Sequence, residues 1–89
     1  MKTVTLYTTS NCAYCVAAKS LLKTKGVSFN EIKLDGDRLA ASALVERTGR
    51  RTVPQIFIGT THVGGFDDLK ALEVAGHLDE LLDRPANNS

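Results

Sequence analysis

The sequence predicts an α/β fold: a four-stranded mixed sheet flanked by helices, in the order β-α-β-α-β-β-α. Three observations lead there. Short runs rich in β-branched and apolar residues alternate with stretches whose apolar residues recur at helical spacing. A strand–helix–strand unit opens the chain, which sets the first two strands parallel with a right-handed crossover. Further on, Gly59-Thr60 joins two short strands as a two-residue hairpin turn, adding an antiparallel edge.

Thr3-Val4-Thr5-Leu6-Tyr7-Thr8 alternates β-branched and larger apolar residues, as a strand does. Ser10 and Asn11 stand where they can cap the next helix. That helix is expected over residues 13–25, with Val16, Ala17, Leu21 and Leu22 as its apolar positions and Gly26 ending it. Residues 27–34 read as a second strand through Val27, Phe29, Ile32 and Leu34, with imperfect alternation. Asp35-Gly36-Asp37 is a turn, and Asp37 is the expected cap of a second helix over residues 38–48. That helix carries Leu39, Ala43, Leu44 and Val45, and Gly49 stops it. Gln55-Ile56-Phe57-Ile58 and Thr61-His62-Val63 form the hairpin, and Gly64-Gly65 breaks it. A third helix is expected over residues 66–75 and a last helical turn or two over 77–82. Residues 1–83 are expected to form one domain and 84–89 a frayed tail.

Composition narrows the function classes. Hydrophobic residues make up 43% of 89, enough for one modest core. Eleven basic and ten acidic side chains leave a formal charge of +1, so the balance gives no argument for nucleic acid or a membrane surface. No apolar run is long enough to span a bilayer. The N-terminal Met1-Lys2-Thr3-Val4 runs into a strand pattern without signal-peptide anatomy. The expectation is a cytoplasmic monomer.

Both cysteines sit in Ser10-Asn11-Cys12-Ala13-Tyr14-Cys15. Cys12 falls in the turn where a strand hands over to a helix, and Cys15 about one helical turn later. The first amides of a helix lack internal partners and, with the helix dipole, favour negative charge. A thiol in that place ionises more readily, and the thiolate is what attacks disulfides. Zinc ligation would need two further ligands, and only His62 and His77, 15 residues apart, are on offer. A disulfide between Cys12 and Cys15 closes too small a loop to restrain the unfolded chain much, so oxidation there serves exchange.

Two other stretches have both a plain and a functional reading. Thr52-Val53-Pro54 precedes an apolar strand, where proline either simply starts the strand or sits after a cis bond. The cysteine pair favours the cis form, which would turn the Val53 amide and carbonyl outward towards an extended peptide. Gly64-Gly65-Phe66-Asp67-Asp68 is either an ordinary turn with an acidic cap, or a close approach to a ligand. In the second reading the helix amides hold a carboxylate, and Asp67 or Asp68 accepts from an ammonium group.

Taken together, Cys12-Ala13-Tyr14-Cys15, Thr52-Val53-Pro54-Gln55-Ile56-Phe57-Ile58 and Gly64-Gly65-Phe66-Asp67-Asp68-Leu69 resemble the glutaredoxin family, of the small dithiol bacterial type. The resemblance covers residues 3–82. It implies a thioredoxin-like fold and glutathione-dependent thiol–disulfide exchange, with glutathione as co-substrate and glutathionylated or disulfide-containing proteins as partners. It implies Cys12 as nucleophile, Cys15 as resolving thiol and Tyr14 beside the site, its ring covering the sulfur. It further implies a cis Pro54, with Thr52 and Val53 pairing to the cysteine part of glutathione. Gly65, Phe66 and Asp67 would hold the γ-glutamyl end.

The sequence also departs from the family pattern. Ala13 stands where most dithiol members have proline, which leaves a [2Fe–2S] cluster open. Thr9 and Ala41 stand where members often place charged or polar contacts to the glycine end of glutathione, and Arg38, Arg50 or Arg51 are the nearest substitutes. These departures keep two alternatives open. One is a thioredoxin-like electron donor fed by thioredoxin reductase. The other is a dimer holding an iron–sulfur cluster. Lys19, one turn after Cys15, is expected to be solvated. His62 and His77 are expected at the surface without a role.

Overall fold

A computed structural model describes residues 1–83; the tail expected at 84–89 lies outside the described residues. The elements are β1 (Val4–Thr8), α1 (Ala13–Thr24), β2 (Asn30–Lys33), α2 (Arg38–Thr48), β3 (Gln55–Ile58), β4 (Thr61–Gly64), α3 (Phe66–Ala75) and α4 (Leu78–Leu82). The sheet order is β2-β1-β3-β4. β1 runs parallel to β2 and antiparallel to β3, and β3 pairs antiparallel with β4. The expected mixed sheet is therefore present.

The alternation along the strands divides the interior in two. Val4, Leu6, Ile56 and Ile58 point to the face covered by Ala18 and Leu22 of α1, Leu69 of α3, and Leu78 and Leu82 of α4. Phe57 points to the other face, where Leu44 of α2 and Leu34 close over it. The larger cluster carries the fold, and the smaller one supports the loop that holds Val53.

Three local readings needed correction. The second strand begins at Asn30, not Val27. The Val27 amide is spent on the Leu22 carbonyl (2.9 Å) and the Gly26 amide on Lys23 (2.9 Å), which closes α1 through a left-handed Gly26. An amide committed to a helix end cannot join a strand ladder. On α1 the buried positions are Cys15, Ala18 and Leu22, whereas Val16 is 60% exposed. On α2 only Leu44 is buried, and Leu39 is 85% exposed. Both helices turn a narrower stripe inward than their apolar content indicated. The Asp37 cap is as expected, its side chain accepting from the Ala40 amide at 3.0 Å.

These differences set up a comparison. Leu69→Ala empties a fully buried site in the larger core cluster and should cost about 2–5 kcal/mol. Leu39→Ala, on the exposed side of α2, should stay within about 0.5 kcal/mol. Urea unfolding of the two variants beside the parent chain checks both.

Candidate active site

The loop after β1 delivers Cys12, and it is tied down before it gets there. The Ser10 amide donates to both carboxylate oxygens of Asp35, at 3.1 and 3.0 Å. This contact is the main cause holding the Asp35 carboxyl below its ordinary range. Ser10 and Asn11, expected as caps, are not the cap. Cys12 itself is the N-cap of α1, in extended conformation, and its Sγ accepts from the Cys15 amide at 3.0 Å. The sulfur thus takes one of the orphan donors of the helix start. The thiol lies 3.6 Å from the Val53 carbonyl, to which it donates.

Cys15 has the opposite environment. It is buried under α1 against the sheet, and burial, then the contact with Cys12, pushes its thiol up to about 11. Lys19 lies one turn further along and does lower it, but Lys19 is not merely solvated. Its Nζ pairs with Glu31 at 2.9 Å, and Glu31 also accepts from the buried Thr8 hydroxyl at 2.7 Å. Those two contacts, Thr8 first, hold Glu31 below its ordinary carboxyl range.

Beside Cys12 opens a cavity of about 290 Å³. One wall is Thr52, Val53 and Pro54, and the Val53–Pro54 bond is cis. The opposite wall is the start of α3, from Gly65 to Asp68. Tyr14 also lines it: 62% exposed, its ring stacks on Phe66 with centroids 6.3 Å apart. Tyr14, Thr52, Val53, Pro54, Gly65, Phe66 and Asp67 therefore converge around one opening, Cys12 meets it through the Val53 carbonyl, and Cys15 is buried next to Cys12.

The two acidic residues divide. Asp68 is already engaged: its Oδ2 accepts from the Gly65 amide (2.9 Å) and from Arg50 (2.9 Å). The amide first, and the guanidinium next, hold its carboxyl below the usual range. This closure requires Gly64, which takes φ +120 where a Cβ would run into the Asp68 carboxylate and Arg50. Asp67 is left facing the cavity. The three arginines considered as substitutes also separate. Arg50 is bound to Asp68 in this cavity, whereas Arg38 and Arg51 line a different one, of about 490 Å³, together with Ala41. Sequence reasoning missed the Arg50–Asp68 pair and the Asp35 tether.

The glutaredoxin family model matches residues 4–63. The chain belongs to the glutaredoxin family. It is 56% identical over 82 residues to a glutaredoxin of Pseudomonas aeruginosa, spanning 92% of this chain and 98% of the relative. It is 51% identical to glutaredoxin 3 of Escherichia coli, spanning 92% and 99%. Among solved structures it is similar to the glutaredoxin of Brucella melitensis (TM-score 0.83, 52% identity, 92% of this chain and 89% of that one). It is also similar to a buckwheat glutaredoxin–glutathione complex (TM-score 0.86, 32% identity, 92% and 77%). The fold is thus thioredoxin-like and the activity class is thiol–disulfide oxidoreductase. No helix among the described residues is long and apolar enough to cross a membrane.

The glutaredoxin site can be tested in two ways. Iodoacetamide at neutral pH should alkylate Cys12 of the reduced protein and leave Cys15, which should react only after denaturation; peptide mass spectrometry reads both. Asp68→Ala should cost up to about 1 kcal/mol at pH 7, a cap loss discounted for exposure. Because folding lowers the Asp68 pKa, its contribution is present above the unfolded value of about 3.9 and is lost as pH falls through the folded one. The stability gap between parent and Asp68→Ala should therefore close in acid, as read by thermal unfolding between pH 7 and pH 3.

Proposed function

We propose that this chain reduces protein–glutathione mixed disulfides at Cys12, with glutathione as co-substrate, and reduces protein disulfides through the Cys12–Cys15 pair. The observation that carries the reading is the position of the Cys12 sulfur. It caps a helix and touches the carbonyl of Val53, a residue that lines a cavity bounded by the Thr52–Pro54 segment on one side and a helix start on the other. A glutathionyl group fits that frame in parts. The exposed backbone of Thr52 and Val53 suits its central cysteine residue. The amides at Gly65 and Phe66 suit the γ-glutamyl carboxylate, and Asp67 suits its ammonium group. Tyr14 and Phe66 wall the space between.

The chemistry runs as two displacements. The Cys12 thiolate attacks the glutathione sulfur of the mixed disulfide. A Cys12–glutathione bond forms, the protein–glutathione bond breaks, and the protein leaves as a thiolate that takes a proton from water. The thiolate of a second glutathione then attacks the glutathione sulfur, forming glutathione disulfide and releasing Cys12 as thiolate. In the dithiol route the Cys12 thiolate first opens a protein disulfide, releasing one protein thiolate. Cys15 then gives up its proton and attacks the Cys12 sulfur, the protein–Cys12 bond breaks and the second protein thiol leaves. Two glutathione molecules reduce the resulting Cys12–Cys15 disulfide while becoming glutathione disulfide. Two of the influences that hold Cys15 protonated come from Cys12, the hydrogen bond and the charge. The charge is gone and the hydrogen-bond acceptor weaker once Cys12 is in a disulfide, so Cys15 becomes easier to ionise when it is needed.

A [2Fe–2S] cluster takes four thiolate or imidazole ligands. This chain offers one thiol at the surface and one buried beneath it. Among the described residues no group of three or more histidines, cysteines or carboxylates is placed to hold a metal. One chain alone does not fit that cluster, and no step is assigned to it. A monomer in a reducing cytosol is the setting that suits the exchange chemistry.

The test is steady-state turnover of a glutathionylated protein with glutathione, glutathione reductase and NADPH. Cys12→Ser should lose activity by roughly a thousandfold or more, because a serine hydroxyl is a poor nucleophile at neutral pH. Cys15→Ser should keep deglutathionylation and lose protein-disulfide reduction. Equal loss of both activities in Cys15→Ser would sink the assigned division of labour. Absence of glutathione-dependent turnover in the parent, with reduction by thioredoxin reductase instead, would replace the glutathione reading with the electron-donor one.

A further inference from the structure

His62, expected at the surface without a role, is half-buried and hydrogen-bonded towards the site. The connection runs through Gln55, which is fully buried one residue after Pro54. Gln55 Nε2 donates to the Thr52 carbonyl at 2.9 Å and to the Thr52 hydroxyl at 3.3 Å. With both amide protons given to Thr52, Oε1 is the acceptor that remains, and His62 Nε2 meets it at 2.7 Å. The proton of the neutral ring is therefore on Nε2. Every polar atom of a buried amide is committed, and two of its three bonds end on the residue that begins the cavity wall.

The ring itself is fixed from several sides. It packs on Phe57 with centroids 5.0 Å apart, and Phe57 is its partner across β3 and β4. A register irregularity between Ile56 and Phe57 locally twists this pair. The charged groups facing the ring are Arg50 from the loop after α2, Arg47 from α2, and Asp68 from α3. Burial first, and Arg50 next, lower its pKa, so the ring is neutral at pH 7 and presents a single N–H.

We propose that His62 is a positioning residue: through Gln55 it holds Thr52 and Val53 in the conformation that receives the glutathionyl group. The inference deepens the glutathione reading and rests on it. A Gln55 amide that loses its partner at Oε1 is free to rotate within its pocket, and both bonds to Thr52 then loosen together. The wall of the cavity would blur without any change at Cys12.

The experiment compares His62→Phe, which keeps the ring on Phe57 but removes the donor, with His62→Gln, which keeps a donor. His62→Leu replaces the phenylalanine variant if that one does not fold. In the glutathione-coupled assay, His62→Phe should raise KM for the glutathionylated substrate about tenfold, with kcat changed less than about twofold. His62→Gln should recover most of the loss. In parallel, the Thr52 and Val53 amide resonances of the ligand-free protein should move in His62→Phe and return towards the parent positions in His62→Gln. An unchanged KM in His62→Phe, or an equal rise in both variants, overturns the proposal. If the parent shows no glutathione-dependent turnover, the glutathione reading fails. The resonances alone then decide the positioning role, and unmoved Thr52 and Val53 signals overturn it.

Discussion

The arrangement depends on one contact: the Cys15 amide donating to the Cys12 sulfur. An N-cap is ordinarily a serine, threonine or aspartate oxygen that satisfies a helix amide. Here the capping atom is the sulfur proposed as nucleophile. Anything that fixes the start of α1 therefore fixes the Cys12 sulfur, and anything that strengthens negative charge on the sulfur strengthens the cap. The Asp35 carboxylate holding the Ser10 amide, and the buried packing of Ala18 and Leu22, act on the site through this one geometry.

The second half of the site is built from loops, and loops need tethers to hold a shape. The segment from Arg50 to Pro54 is held at two points. Arg50 reaches across to Asp68 at the start of α3, and Thr52 is gripped by Gln55 from β3. Asp68 in turn closes on the Gly65 amide. The two cavity walls are thus joined by an ion pair that is only half-exposed and shared with a helix cap, a better geometry than an isolated surface pair. Asp67, one residue earlier, lines the cavity beside it.

Much of this was legible in the sequence where one residue type dictates the local outcome. Gly26 and Gly49 end helices, Asp37 begins one, Gly59 turns a hairpin, and the two cysteines and Pro54 mark the site. The features that stayed hidden depend on partners far apart in the chain. Asp35 looked like a turn residue, and only the fold brings it to Ser10, 25 positions away. Arg50 was a candidate for a ligand carboxylate until the fold gave it Asp68. His62 looked like an edge-strand surface residue because alternation says which face it occupies, not that a buried glutamine waits there. Val16 and Leu39 show the converse: apolar periodicity overestimates burial when a helix covers only part of a small sheet.

The difference between the two cysteines is where fold becomes chemistry. They are three residues apart on the same helix start, yet one meets solvent and the Val53 carbonyl while the other is sealed by the core. A pair of equally exposed thiols would compete to attack. Burial removes that competition by holding Cys15 protonated while Cys12 is free. In the proposed dithiol route this leaves Cys15 a sluggish resolving thiol until Cys12 has reacted. Once Cys12 is bonded to another sulfur, its negative charge no longer opposes ionisation of Cys15, and Lys19, anchored by Glu31, remains as the nearby cation. In the proposed mechanism the order of events, surface thiol first and buried thiol second, follows from burial and proximity in the folded chain.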